Sequence, residues 1–494
     1  MDSPLLTSII GIREKAYSLK EPGGRYFNAP CGCQVIGRIN ATRSIKSKAD
    51  KALNFCVVET LLLPFLMLKP MLSLNPVSPR LLTLVFTLIL TACGGGEEIS
   101  DESRLAKSIR NDTRLPIVRA KARQLVAKEL TAGSGYPAVF IRDLNTFVEL
   151  AIEGQGAQKV RSQLKQFLEH QGDDGNVVDG ITVHDGSTFK ATVESDQESS
   201  LVQAVGKYVA MTGDKAFLVE DVRGVSVIER LEHALMFLYK QRFAAGYGLV
   251  FGGTRADWGD VQPEDTPGVY LNAASHPSLS IYDNAMLTLA LVDLQTLLSK
   301  AGRDTSVWAV RERELRAAVR RHLWNGKQFV PHIYLDRGSP FPSNFDESRI
   351  YFQGGTAVAI QAGLLEPAEV TQAFTRMIKN KNDSGSGTVG VSLYPAYPAG
   401  FFQNKDYMGA EYVYQNGGDW PWFGGRIIQQ MVAHEQVAAA YQEIAPMLDR
   451  VLRDDAFFEW YTREGIAQGS GEYRGSAGQL AKAIDMILEW AAHR

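Results

Sequence analysis

From about Ser103 onward, apolar residues recur every three or four positions, the spacing of amphipathic helices. Leu201, Val205, Tyr208 and Val209 share one face, and Gly213 ends the run. Leu287, Leu291, Leu294 and Leu298 mark another face, closed by Lys300 and Gly302. Leu480, Ile484, Ile487 and Leu488 mark a last helix. The same spacing predicts helices near 115–130, 142–153, 157–170, 225–242, 304–323, 354–364, 366–380, 424–442 and 445–454. No alternating strand–helix–strand pattern accompanies them. Between the helices run long polar stretches rich in glycine and aromatics: 172–190, 246–280, 326–355, 382–412 and 462–478. Loops of that length inside a compact domain usually carry function or are disordered. Paired helices with elaborate loops at one end predict an all-α (α/α)6 toroid over residues 103–494, with an irregular helical bundle as the alternative.

Composition narrows the function classes. The 494 residues are 45% hydrophobic and 22% charged, which suits a globular protein with a sizeable core. The net charge of −3 gives no basic surplus for nucleic acid. All four cysteines, Cys31, Cys33, Cys56 and Cys93, lie early, so no disulfide holds the later chain. Cys31 and Cys33 lack a partner pair for a metal, and the scattered histidines show no ligand spacing. No metal or cofactor is expected. Serine-elbow, phosphate-loop and zinc-protease motifs are missing from the sequence.

The stretch from Arg80 to Cys93 has a basic flank, an apolar run and small residues before the cysteine. It falls short of the ~20 apolar residues that span a bilayer. It resembles a bacterial lipoprotein signal, with Leu90-Thr-Ala-Cys93 as the cleavage box. The resemblance implies a signal over 71–92, lipid on the Cys93 thiol, a tether over 93–102 and a place in the cell envelope, in the periplasm or at the outer membrane. Such a signal starts near its methionine. Residues 1–70 are therefore expected to be a non-native or disordered extension, with Met67 or Met71 as the natural start. A short buried helix is the competing reading of the apolar run.

Four polar constellations sit on or beside the long loops. Arg142 and Asp143 follow Tyr136 at a helix start, where they suit sugar hydroxyls or a plain helix cap. Glu194 to Ser200 opens another helix, with Gln197 and Glu198 as candidates and simple capping as the rival. Asp257 and Asp260 flank Trp258, and an acid beside an indole can keep its proton near neutrality. Glu459 and Glu472 are candidates for a second carboxylate, each otherwise a solvated surface charge. The tract Tyr414 to Arg426 adds Gln415, Asn416, Asp419, Trp420 and Trp422 among four glycines. Flat rings for stacking and amides for hydrogen bonds are what a sugar needs.

Together, Tyr136-Pro-x-x-x-x-Arg-Asp143, Asp257-Trp-x-Asp260, Gln415-Asn-Gly-Gly-x-Trp-Pro-Trp422 and Glu459-x-Tyr461 resemble the six-hairpin glycosidases, over roughly residues 115–490. Their style is closest to the glycogen-debranching and processing α-glucosidase groups. The resemblance implies Asp257 as general acid, Glu459 as base (Glu472 the alternative), and the Arg-Asp and Gln-Asn-Gly-Gly tracts around the cleaved sugar. Phe140 with Ile141 before the Arg-Asp pair, and Asp419, depart from that pattern. The expected activity is an exo-acting, anomer-inverting glycoside hydrolase, with Trp258, Trp420 and Trp422 stacking on sugar rings and Asp260, Arg142 and Asp143 binding hydroxyls. Three rivals stand beside it: a glycoside phosphorylase with phosphate near Arg474 and Ser476, a polysaccharide lyase, and a non-catalytic glycan-binding lipoprotein. The expected partners are a carbohydrate and, through the lipid alone, a membrane.

Overall fold

The computed structural model describes residues 100–264, 268–404 and 408–494. The extension over 1–70, the signal over 71–92 and the Cys93 lipidation site lie outside them, as does most of the tether. Among the described residues no helix is long and apolar enough to cross a membrane.

Fourteen α-helices follow in order among the described residues: α1 Asp101–Asn111, α2 Arg114–Val126, α3 Ile141–Gln155, α4 Ala157–Glu169, α5 Gln197–Thr212, α6 Ala216–Val219, α7 Val227–Gln241, α8 Ile281–Lys300, α9 Ser306–His322, α10 Gln353–Gln361, α11 Pro367–Ser384, α12 Pro421–Ala433, α13 Val437–Asp454 and α14 Arg474–Ala492. Six of them form a closed inner ring. Going round it, α3 packs on α5, α5 on α8, α8 on α10, α10 on α12, α12 on α14, and α14 back on α3. Outside them lie α2, α4, α7, α9, α11 and α13, so each outer helix leads into the next inner one as a hairpin. This is the expected (α/α)6 toroid.

Burial separates the two rings. Outer α4 buries Val160, Leu164, Phe167 and Leu168, a single stripe, and leaves its other face wet. Inner α8 buries Tyr282, Met286, Leu287, Ala290, Leu291 and Leu294 on several faces, because it is enclosed on all sides. Outer helices also carry local start and stop signals. Ser226 and Glu229 box the start of α7, and Glu366 with Glu369 does the same for α11. None of the six inner helices has a side-chain N-cap of that kind. Their unpaired N–H groups are left for residues from elsewhere.

Several boundaries differ from the periodicity, including the end of α11 at Ser384 rather than 380. The break expected between 442 and 445 falls instead at 434–436, where Glu435 turns to a left-handed φ of 61°. Helix α13 runs through Pro446, since a proline costs one backbone bond and a bend that a packed helix tolerates. The helix expected to reach 130 stops at Val126. The long connections are also more ordered than expected. They pair into small antiparallel sheets, such as Ala138–Phe140 with Gly180–Thr182 and Gly180–Ile181 with Thr188–Phe189. Others join Gly252–Gly253 and Ile333–Tyr334 to Pro277–Leu279. Of these strands, Ala138–Phe140 leads into inner helix α3 and Pro277–Leu279 into inner helix α8.

The inner ring closes tightly where α14 meets α3. A Cβ placed on Gly478 would lie 2.4 Å from Phe147 Cβ and 2.8 Å from backbone atoms of Phe147 and Thr146. Alanine favours a helix by up to ~1 kcal/mol over glycine, but backbone cannot move aside cheaply. Gly478→Ala should therefore destabilise the protein by about 1–3 kcal/mol net, seen as a lowered urea midpoint with unchanged slope.

Candidate active site

The inner helices begin at one end of the ring, and acidic side chains gather there. Asp143 lies in the first turn of α3, Glu198 in that of α5 and Asp283 in that of α8. Glu194 and Asp196 precede α5, and Asp419 precedes α12. A helix N-terminus carries partial positive charge and free N–H donors, so it is the one part of a helical ring that favours carboxylates.

Arg142 is the counter-charge. Its guanidinium contacts Glu194, stands 4.0 Å from Asp196 and 3.7 Å from Asp260, and donates to the Trp258 carbonyl at 3.4 Å. Burial opposes its charge, yet the carboxylates around it outweigh burial and hold its pKa well above the ordinary value. Burial raises Glu194 and Asp196, and pushes Asp179 beneath them up to about 7. Tyr282 donates to Asp196 at 2.9 Å, and Arg255 pairs with Asp283 alongside.

Above this layer opens a cavity with about 440 Å³ of empty space counted out to its mouth. Its polar walls are Tyr136, Arg142, Asp143, Asp260, Gln415, Glu459 and Tyr473, and its apolar walls are Phe140, Trp258, Tyr414, Trp420 and Trp422. Gln415 grips Asp260 at two points: its amide NH2 donates to Asp260 Oδ1 at 2.7 Å, and its carbonyl accepts from the Asp260 backbone N–H at 3.2 Å. Tyr473 donates to Asp143 Oδ1 at 2.7 Å, while burial raises the Asp143 carboxyl. Glu459 accepts from the Ser470 N–H at 3.1 Å and from the Tyr136 hydroxyl. Burial pushes Glu459 up to about 7, against those two bonds. It needs Gly469 beside it: that residue has a φ of 68°, and a Cβ there would lie 2.4 Å from Glu459 Oε2. A second cavity, with about 790 Å³ of empty space, is lined by Tyr136, Tyr414 and Glu459 on one side and by Ser134, Trp460, Gln468 and Ser470 among others. Glu459 fronts both cavities, and Asp260 only the first.

Several sequence candidates do not reach this space. Asp257 is fully buried, with Gly354 and Gly355 N–H donating to its two oxygens at 2.7 and 2.8 Å. It caps inner helix α10 from a distance, and a left-handed φ of 54° turns it away from the lining. Burial pushes its carboxyl up to about 8, but both oxygens are already acceptors. Glu472 is a half-exposed surface carboxylate paired with Lys128 at 2.6 Å. Gln197 bonds Glu194 at 2.8 Å, and Glu198 accepts from Lys190 at 2.6 Å and the Val177 N–H at 2.9 Å, all below the floor. Asn416 staples the Tyr397 backbone, with bonds of 2.8 and 2.9 Å. Asp419 pairs with Arg450 at 2.8 Å in the wall behind. Arg474 is taken up by Glu129 and Thr131, and neither it nor Ser476 lines the cavity. Trp258 is no free platform either, because Phe423 stacks on it at 4.7 Å while Trp420 and Trp422 meet it edge to face.

Two lining residues, Phe140 and Tyr473, went unselected as site residues in the sequence. Each immediately precedes an inner helix. Trp420 holds the same place before α12 and also lines the cavity, whereas Asp196, Ser280 and Phe352, which precede the other three inner helices, do not.

No family model matches the chain, and no curated protein matches it. Solved structures do. The chain is similar to the GH63 mannosylglycerate hydrolase from Thermus thermophilus in complex with Tris and D-glycerate, at TM-score 0.54 and 15% identity, over 74% of this chain and 99% of that one. The same figures hold for that hydrolase in complex with glucose. A GH78 family rhamnosidase of Bacillus sp. GL1 matches at TM-score 0.50 and 14% identity, over 74% of this chain and 34% of that one. This is the six-hairpin (α/α)6 toroid fold. The ring of hairpins is shared with all three, and identity this low establishes the architecture alone.

The buried charge at the floor gives a stability prediction. In Arg142→Met, Glu194 and Asp196 lose their cation, a loss of about 3–5 kcal/mol. Their pKa values then rise further, so the folded chain holds protons that the unfolded chain releases, and stability falls as pH rises. Denaturant unfolding of both proteins should show a larger deficit at pH 8 than at pH 5.

Proposed function

We propose that this protein is a glycoside hydrolase, exo-acting and anomer-inverting, with Asp260 as general acid and Glu459 as general base. The observation that carries the proposal is that these two carboxyls, some 200 residues apart in the chain, line one compact aromatic-walled cavity in a six-hairpin toroid. The fold's solved neighbours, a mannosylglycerate hydrolase and a rhamnosidase, support hydrolysis of a glycosidic bond. Asp260 takes the acid role expected of Asp257 because it faces the cavity. It donates its proton to the departing oxygen as the bond to the anomeric carbon breaks. Glu459 removes a proton from the attacking water, and its place between two cavities supports this role, since the second cavity gives it an open side that Asp260 does not share. Inversion calls for carboxyls roughly 6.5–9.5 Å apart with that water between them. Arg142, Gln415 and Tyr473 hold Asp260 and Asp143, and Asp143, Tyr136 and the indole edges meet hydroxyls. A compact cavity at one end of the ring suits a chain end better than a chain interior.

Among the described residues, two rival chemistries find less support. A phosphorylase needs a phosphate cradle, and Arg474 and Ser476 point elsewhere. A lyase must neutralise a uronate, and the cavity's guanidinium is already committed to Glu194, Asp196 and Asp260. We further propose envelope anchoring at Cys93, on sequence grounds; incorporation of labelled palmitate, lost in Cys93→Ser, tests it.

Asp260→Asn and Glu459→Gln should each lower kcat by about 10²–10⁴-fold or more with the fold intact. Asp257→Asn should instead cost about 1–3 kcal/mol of stability, because an amide NH2 would confront the Gly354 or Gly355 N–H. Glu472→Gln should leave kcat within about twofold. A base must be ionised, so kcat/KM should fall as pH drops through about 7. An alkaline fall through that value would exchange the two roles. NMR of the first-released anomer distinguishes inversion from retention.

A further inference from the structure

We infer that the site takes glycosides without negative charge and rejects uronides, glycerate conjugates and phosphosugars. The inference rests on the glycosidase reading and narrows its substrate.

The first cavity carries three carboxyls, Asp143, Asp260 and Glu459, against one cation among its described lining residues, Arg142. That cation already has counter-charges. Its guanidinium is buried, in contact with Glu194, 4.0 Å from Asp196 and 3.7 Å from Asp260, and it donates to the Trp258 carbonyl. The second cavity adds no lysine, arginine or histidine among its described lining residues and presents Glu459 again. A ligand anion in either space would meet Glu459, ionised in its role as base, and aromatic rings, with Arg142, already paired with Glu194, as the one cation among the described lining residues. Like charges brought together in a site screened from water repel strongly, and an unanswered buried anion must take up a proton or stay out.

The same walls suit an uncharged polyol. Carboxylates and the Gln415 carbonyl accept from hydroxyls, and the Trp422 indole N–H is buried without a partner among the described residues, which leaves a donor for a hydroxyl oxygen. The selection is of the kind in which the unwanted ligand is excluded by charge rather than by shape.

The test uses the full chain at pH 7.5 and low salt. Aryl glucosides, galactosides and mannosides are each paired with the uronide that differs only at C6, and turnover and calorimetric binding are measured for both members. Tris, cationic at this pH, is set against the anion D-glycerate as a small ligand pair. We expect at least one uncharged glycoside to bind or turn over, its uronide to do so at least about 100-fold less well, and Tris but not D-glycerate to compete with it. A uronide or D-glycerate that matches its uncharged or cationic counterpart overturns the inference. So does silence from every uncharged ligand. Binding of uncharged glycosides without any product would sink the hydrolase reading and leave the charge selection standing.

Discussion

The whole arrangement depends on one difficult act: keeping a layer of ionisable groups out of water beneath the cavity. Glu194, Asp196 and Asp283 are essentially inaccessible, and so are Arg255 and nearly all of Arg142. Bare burial of such groups would cost several kcal/mol each. The toroid offsets that cost by geometry. Six inner helices start at the same end, where their N-termini offer partial positive charge, and Gln197, Tyr282 and Ser280 donate to Glu194, Asp196 and Asp283. Arg142 and Arg255 supply the full charges. A helical ring that capped its own inner helices locally would have no such use for acidic residues here.

That constraint explains the fate of the two aspartates around Trp258. Inner helix α10 opens with Gly354 and Gly355, whose N–H groups need acceptors and whose missing side chains leave room for one. A Cβ on Gly355 would lie 2.8 Å from Asp257 Oδ1, and one on Gly354 would lie 2.3 Å from the Trp258 ring. Asp257 fills that place and pins the loop to the helix. Asp260 is three residues further on, past Gly259, and emerges at the cavity, where Gln415 fixes it by both its backbone and its side chain. One aspartate holds the loop and the other is presented by it.

This is also where the sequence could be followed and where it could not. The helical periodicity, the pairing of helices and four of the five polar regions singled out were legible, because they depend on local spacing and composition, whereas the Glu194–Ser200 region lies beneath the cavity. The Arg142-Asp143, Asp257-Asp260 and Tyr414–Trp422 segments do converge on one cavity with Glu459. Which acid of a close pair faces that cavity was not legible, because it depends on a left-handed turn at Asp257 and on an acceptor-hungry helix about 97 positions later. Gln197, Glu198, Asn416 and Asp419 misled for the same reason. They are polar and adjacent to the site in sequence, but their partners are Glu194, Lys190, the Tyr397 backbone and Arg450, and the last two are brought in only by the tertiary fold.

The floor and the cavity are electrostatically one system. Asp143 and Asp260 add to the burial that raises Glu459, and Arg142 partly shields Asp143 from the same fate. A carboxyl that ionises near pH 7 is the useful outcome for proton transfer in neutral water, and it is reached here by desolvation, with the Ser470 N–H and Tyr136 pulling the other way. Strengthening those two bonds would make the site more stable and Glu459 a weaker base. Removing them would leave a neutral acid that cannot accept a proton. The raised value is a balance between desolvation and hydrogen bonding, which is the compromise expected where a fold must hold charge in a partly enclosed cavity.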